Sequence, residues 1–141
     1  MGDSSAGSVL NSVTEQLLKE VEHSYKSAGK LTDEILSALQ FVFQTTLLPA
    51  LDLVDQRNVT RISSPSGRIV YQVVGSSGTP YTCLTTSTYC SCPAYRYSVL
   101  LKQDHIMCKH TLAIRLAIAM DLCKELQVSN QELVKVITNI D

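Results

Sequence analysis

Two pairs of potential metal ligands constrain this chain of 141 residues more than any other feature of its sequence. Cys90 and Cys92 form the first pair. After fifteen intervening residues, Cys108 and His110 form the second. Three thiolates and one imidazole match the tetrahedral Cys₃His class of structural zinc site. Side chains two apart on a strand share a face, so the first pair suits an extended segment. The spacing predicts one structural Zn²⁺ bound by these four residues.

The second pair requires a different local conformation. Residues two apart on a helix do not face each other, so Cys108 and His110 are expected to chelate from an extended or turn segment, with the helix starting after them. His105 is a rival ligand, but choosing it leaves His110 unexplained. The alternative without a metal is a set of unrelated buried cysteines beside a surface histidine. Two short-spaced pairs that meet the four-ligand count favour zinc.

The motif argues against an enzyme. Catalytic zinc keeps an open coordination position, whereas four protein ligands close the shell here. Cys-x-Cys also differs from the Cys-x-x-Cys spacing of disulfide exchange. The chain contains no G-x-x-x-x-G-K-[ST] nucleotide loop, because the nearest candidate at Gly29 and Lys30 has Leu31 at the hydroxyl position. We therefore predict a non-catalytic protein.

Charge and composition limit where the protein can be located and what it can bind alone. The net charge of −1 lacks the basic excess of a free-standing nucleic-acid binder. Residues 1–13 show no secretory signal, and no apolar run reaches the roughly 18 residues of a membrane span, so we expect an intracellular protein that does not enter a membrane. Five cysteines in a reducing compartment favour metal ligation, which leaves Cys83 and Cys123 as free, buried thiols.

The N-terminal third of the chain predicts helices. Residues 1–8 carry almost no side chains that could pack and are expected to be a disordered tail, and residues 9–56 form a helical segment. Apolar residues at steps of three and four predict an amphipathic helix that starts near Leu10. Thr32 is expected to cap a second helix. Pro49 is expected to break the helix or to restart it, with a short third helix at residues 50–55.

Residues 57–126 are predicted to form a β-meander followed by the zinc finger, with the finger at about residues 81–126. Runs of β-branched residues between turns that contain Pro and Gly predict three antiparallel strands, at 59–62, 68–74 and 81–86. The first ligand pair lies just beyond the third strand.

Two helices are predicted from the second ligand pair onward. Residues 110–126 are apolar on nearly every face, so this helix must be buried on more than one side. Ser129 and Glu132 have the spacing of a capping box and open a terminal helix within residues 127–141. Helices that precede and follow a group of antiparallel strands along the chain indicate an α+β fold, which we expect to be one compact domain.

The metal loop is one candidate binding surface. Tyr95, Arg96, Tyr97 and Lys102 interleave aromatic rings with positive charge, a mixture that suits single-stranded nucleic acid. Tyrosines that shield the zinc beside solvated cations would explain the same pattern.

The apolar helix is the second candidate surface. Its surplus of apolar side chains suggests an interface with a partner protein, with Leu116, Met120 and Cys123 as the candidate contacts. Packing within the protein itself is the alternative for this helix.

A resemblance to the SWIM zinc finger family rests on the two ligand segments, which read YCSCPAYRYSVL and CKHTLAIRLA. The likeness extends over about residues 9–130 to the SWIM subunits of vertebrate Shu complexes, through the stretch ALDLVDQRNVTRISSPSGRIVYQVVGSSGTPYTCL. The resemblance implies a nuclear protein of homologous-recombination DNA repair that pairs with a RecA-like ATPase paralogue carrying Walker motifs. The pair would promote or stabilise recombinase filaments, with single-stranded DNA contacted through the complex. The alternative function is direct binding of single-stranded nucleic acid through the metal loop.

Overall fold

The secondary structure falls into an N-terminal group of helices, a sheet, and a C-terminal group that contains both. The computed structural model describes residues 2–75, 78–83 and 107–138, with side chains described from residue 12 onward. The α-helices in these ranges are Gly2–Ala28 (α1), Asp33–Phe43 (α2), Leu47–Asp55 (α3), Lys109–Met120 (α4) and Asn130–Thr138 (α5). The strands in the same ranges are Val59–Ser63 (β1), Ile69–Val74 (β2), Pro80–Cys83 (β3) and Lys124–Gln127 (β4).

α1 begins earlier than the apolar pattern predicts. The sequence predicts a disordered tail over residues 1–8, but the helix starts at Gly2. Residues 2–8 have no apolar stripe to mark a helix, yet a helix that is already nucleated extends at little cost per residue. The helix ends at Ala28, and Gly29 follows with a left-handed φ of 71°, as is common just after a helix.

The predicted start of α2 is confirmed, and the predicted break or restart with a short third helix is present, but it lies a few residues before Pro49. Thr32 Oγ1 accepts a hydrogen bond from the backbone N–H of Ile35 at 3.2 Å, as an N-cap side chain does. The chain is interrupted earlier, by a 3₁₀ helix at Gln44–Thr46, and Pro49 lies in the first turn of α3. Proline is tolerated there because the N–H groups of a first turn have no partner within the helix.

The sheet is mixed, and not the purely antiparallel meander that the sequence predicts. Its strand order is β3-β2-β1-β4, with antiparallel pairing of β2 to both β3 and β1 and parallel pairing of β1 to β4. Arg61 of β1 lies opposite Tyr71 on one side and opposite Glu125 on the other. The three predicted strands are present, although residues 84–86 lie outside the described part of the chain.

The fourth strand comes from residues that the sequence predicts to be helical. α4 ends at Met120, six residues before the predicted end at Leu126. Asp121 follows in the left-handed conformation, with φ of 57° and ψ of 47°, and its backbone N–H donates to the carbonyls of Ala117 and Ile118. This C-cap turns the chain out of the helix, so that residues 124–127 reach the edge of β1.

α4 is the central element of the main core. It packs against α1, α3 and one face of the sheet, and most of its residues are buried. The prediction of a helix buried on more than one side is therefore confirmed. On the opposite face of the sheet, Ile62, Val70 and Leu133 form a smaller cluster that docks α5.

The sequence shows no unbroken apolar run of about 18 residues, but the stretch Asp33–Asp55 as a whole has the length and composition of a membrane span, with a mean hydropathy of 1.3 in its most apolar part. Core helices of soluble proteins commonly have the same length and composition. The buried residues of the stretch, among them Leu39, Phe43 and Leu47, belong to the main core. Only 28% of this most apolar part is buried, however, so these helices also carry apolar surface that the protein leaves exposed.

Candidate metal centre and exposed groove

Cys108 forms the start of α4. Its extended backbone, with φ of −75° and ψ of 167°, makes it the N-cap residue. The backbone N–H of Thr111 donates a hydrogen bond to Cys108 Sγ at 3.5 Å, and Thr111 Oγ1 lies 3.4 Å from the same sulfur. Cys108 thus occupies the position at which Ser, Thr or Asp usually accepts from the free N–H groups of a first turn. The helix it caps holds this buried sulfur in place.

His110 lies within the first turn of α4 and is 5% exposed. The prediction that the helix starts after both ligands is therefore wrong. Cys108 is extended, so the rule that two helical residues at this spacing face apart does not apply to the pair. No hydrogen-bond partner for the buried His110 Nδ1 is found among the described residues. The ring of Tyr81 lies beside the imidazole, with centroids 4.5 Å apart and an interplanar angle of 31°.

The described half of the predicted site fits a pair of zinc ligands. A buried polar atom is costly unless it binds something, and an imidazole nitrogen is a common zinc ligand. The positive end of a helix also favours the thiolate form of a cysteine at its N-terminus. Cys90 and Cys92 lie outside the described residues, and within the described ranges no three candidate ligands come together. The full four-ligand set stays a prediction.

The candidate nucleic-acid contacts of the metal loop are not placed. Tyr95, Arg96, Tyr97 and Lys102 all lie between residues 84 and 106, outside the described part of the chain. Their predicted role stays a prediction.

The candidate partner contacts on α4 are mostly covered by the protein itself. Leu116 and Met120 are buried in the main core, so they present no surface to a partner, and packing within the protein explains their apolar character. Cys123 lies just after the end of α4 and is half-buried, not fully buried as predicted. Burial raises the pKa of its thiol to about 11, and the nearby carboxylates of Glu125 and Asp121 act in the same direction. Cys83 is a buried, free thiol, as predicted.

An exposed apolar groove lies between α1 and α2, and the sequence analysis missed it. The groove has a volume of about 490 Å³. Its lining is mainly apolar and consists of Ser12, Val13, Gln16, Leu17, Glu20, Ala38, Phe41 and Val42. Among these residues, Phe41 of α2 is 85% exposed and Val13 of α1 is 45% exposed. We call this surface the α1–α2 groove.

One sequence signal could have revealed the α1–α2 groove. Phe41, Val42 and Phe43 are three consecutive apolar residues in a helix, where successive side chains are about 100° apart. One helix face cannot bury all three. Phe43 lies in the main core, and Phe41 consequently faces away from it. The sequence analysis assigned apolar residues to the core face of the helix by their helical spacing, so it did not register Phe41 as an exposed apolar residue.

Two of the described arginines are held in ion pairs. Arg115 Nη2 lies 2.6 and 2.7 Å from the two carboxylate oxygens of Glu15, which links α4 to α1. Arg61 Nη1 lies 3.1 Å from Glu125 Oε2, across the parallel pair of strands. Neutralised in this way, these cations offer little net charge for binding phosphate.

Known proteins match both the motif and the whole chain. Residues 71–118 match the family model described as SWIM zinc finger, which implies zinc binding. The chain is 49% identical over 132 residues to "Zinc finger SWIM domain-containing protein 7" of Danio rerio, covering 94% of each protein. It is 48% identical over 129 residues to the protein of that name in Homo sapiens, covering 92% of each. The Dictyostelium discoideum homolog is 35% identical over 126 residues, covering 89% of this chain and 80% of the homolog. No solved structure matches the chain.

Proposed function

Because the chain belongs to the family of zinc finger SWIM domain-containing protein 7, we propose that it is a non-catalytic, zinc-binding subunit of a nuclear complex for homologous-recombination DNA repair. In this proposal it pairs with a RecA-like ATPase paralogue that carries the Walker motifs. The pair promotes or stabilises recombinase filaments on single-stranded DNA. The exposed α1–α2 groove is the observation that supports pairing with a partner protein.

One structural Zn²⁺ bound by Cys90, Cys92, Cys108 and His110 is the first part of the proposal. The capped sulfur of Cys108 and the buried Nδ1 of His110 support it. When bound, zinc cross-links the segment before α4 to the first turn of that helix. Four protein ligands leave no coordination position for a substrate, and we therefore propose a structural and not a catalytic role.

The α1–α2 groove is the surface that we propose for the partner. Exposed apolar patches of this kind mark sites of protein contact, and aromatic residues in such patches are enriched among those that dominate binding energy. Phe41 projects from α2 at 85% exposure, and Val13, across the groove on α1, adds exposed apolar area. This proposal replaces the interface expected on α4, because the main core covers Leu116 and Met120.

We assign DNA contact to the complex and not to this chain alone. The net charge of −1 is unfavourable for binding a polyanion without help. Among the described residues, Arg61 and Arg115 are already paired with Glu125 and Glu15. A basic partner surface would supply the missing electrostatic attraction.

Phe41→Ser tests the pairing. We expect co-purification with the RecA-like ATPase paralogue to fall about tenfold or more, because loss of an aromatic anchor commonly costs at least about 2 kcal/mol of binding free energy. Val134→Ser is the matched control, since Val134 is also exposed but lies on α5. The control is expected to pair like the wild type. Both variants should keep wild-type circular dichroism and zinc content. Undiminished co-purification of Phe41→Ser would refute the α1–α2 groove as the interface.

A further inference from the structure

We propose that Thr111 and Tyr81 are positioning residues of the metal centre: Thr111 holds the sulfur of Cys108, Tyr81 holds the imidazole of His110, and both thereby set the affinity for Zn²⁺. The inference rests on the zinc site of the proposed function. Neither residue belongs to the predicted ligand set. Residues that touch metal ligands commonly fix their orientation, and their loss weakens metal binding although the ligands remain.

Thr111 directs two polar groups at one sulfur atom. Its backbone N–H lies 3.5 Å and its hydroxyl oxygen 3.4 Å from Cys108 Sγ. A metal-bound sulfur carries no proton, so in that state the hydroxyl must be the donor. Thr111 is 4% exposed, and its β-branched side chain has few rotamers in a helix. The sulfur is therefore held by a rigid, buried contact before any metal arrives.

Tyr81 restrains the second ligand by stacking. Its ring lies 4.5 Å from the imidazole of His110 at 31°, and it is supported from β3, where it pairs with Val73 of β2. A metal-binding histidine is usually oriented by a hydrogen bond at its other ring nitrogen. The described residues provide His110 Nδ1 with no such bond. With Nδ1 as the zinc ligand, stacking on Tyr81 is what restrains rotation of the His110 ring.

Thr111→Val removes the hydroxyl at nearly constant volume. We expect the full-length variant to bind Zn²⁺ about tenfold or more weakly in competition with a chromogenic chelator. Thr111→Ser retains the hydroxyl and should bind like the wild type. In the Co²⁺-substituted protein, the absorption bands that arise from sulfur ligation should shift in the Val variant and not in the Ser variant. Thr111→Ala, which also lacks the hydroxyl but adds no methyl group, serves as a second test if the Val variant does not fold.

Tyr81→Phe and Tyr81→Met test the stack in the same assays. The Phe variant keeps the ring and is expected to match the wild type, whereas the Met variant loses the ring and should bind Zn²⁺ more weakly with an altered Co²⁺ spectrum. Wild-type affinity and spectrum in Thr111→Val and Tyr81→Met would overturn the inference, each for its own residue. Cys108→Ala separates the two proposals, because wild-type Zn²⁺ binding by that variant would refute the zinc site itself.

Discussion

Cys123 lies near Tyr71, Asp121 and Glu125, just after α4. Burial is the main cause that raises the pKa of its thiol to about 11, and the two carboxylates disfavour the thiolate further. Burial also raises the pKa of Tyr71. A thiol with so high a pKa is almost fully protonated at neutral pH and reacts slowly. Cys108, in contrast, is buried at the N-terminus of α4.

The stability of the protein is expected to fall between about pH 9 and pH 11 in part because of Cys123. The thiol ionises near 9.0 in the unfolded chain and at about 11 in the folded protein, so in this window the unfolded state releases the proton first and is favoured. Below pH 9 both states are protonated, and the effect disappears. Urea unfolding of the wild type and of Cys123→Ala at several pH values measures the contribution of Cys123 to the unfolding free energy.

The wild type should lose more unfolding free energy than Cys123→Ala on going from about pH 8 to about pH 11. Burial of Tyr71 contributes to both curves, whereas the part of its raised pKa that comes from Cys123 is lost in Cys123→Ala and adds to the same difference. An equal loss in the two proteins would contradict the raised pKa of Cys123.

At the scale of single residues, spacing predicts candidate ligands, whereas it does not predict exposure that depends on distant neighbours. The two-residue spacing predicts Cys108 and His110 as ligands, a role that stays a prediction, and the structure places both at the start of one helix. The exposure of Phe41 depends on how far α1 covers α2, which no local pattern encodes.

The local sequence predicts the start of α5, but it does not predict β4. Ser129 Oγ accepts from the backbone N–H of Glu132 at 3.1 Å, and Glu132 Oε1 accepts from the backbone N–H of Ser129 at 3.3 Å, which confirms the predicted capping box. β4 has four exposed residues and therefore shows no alternation of burial. Its extended conformation comes from pairing with β1, a contact between distant parts of the chain that pattern analysis does not see.

Leu133→Ala is expected to destabilise the protein by about 2–5 kcal/mol, because Leu133 fills the small cluster with Ile62 and Val70 that docks α5. Val134→Ala is the neighbouring control on the exposed side of α5 and should change stability by no more than about 0.5 kcal/mol. Urea denaturation gives both values. Similar losses for the two variants would show that α5 is not docked through Leu133.

On the scale of the whole molecule, α4 joins the proposed metal centre to the main core. Its first turn carries His110, and the rest of the helix packs on α1, α3 and the sheet. The α+β class could be predicted from the change in apolar period along the chain. The parallel strand pair could not be predicted, because the chain reaches β1 through a turn at Asp121 in the left-handed conformation, and aspartate is found in many other conformations.

Removing zinc with a chelator is expected to lower the unfolding midpoint of the whole chain, because metal binding and folding share one free energy and α4 belongs to the main core. Hydrogen exchange should rise in α4 and also in α1 and α3, which pack against it. Cys108→Ala, which lacks one ligand, should respond much less to the chelator. Faster exchange in α4 with unchanged exchange in α1 would show that the metal centre and the helical layer unfold independently.

The ion pair between Glu15 and Arg115 joins residues that are 100 positions apart. At a synthesis rate of about 5–20 residues per second, α1 would wait roughly 5–20 seconds for α4 to be made. During that interval the apolar side of α1 that α4 later covers stands open on the ribosome, beside the α1–α2 groove that stays open afterwards. We therefore expect the newborn chain to bind chaperones, and we expect the proposed partner to increase the amount that survives to fold.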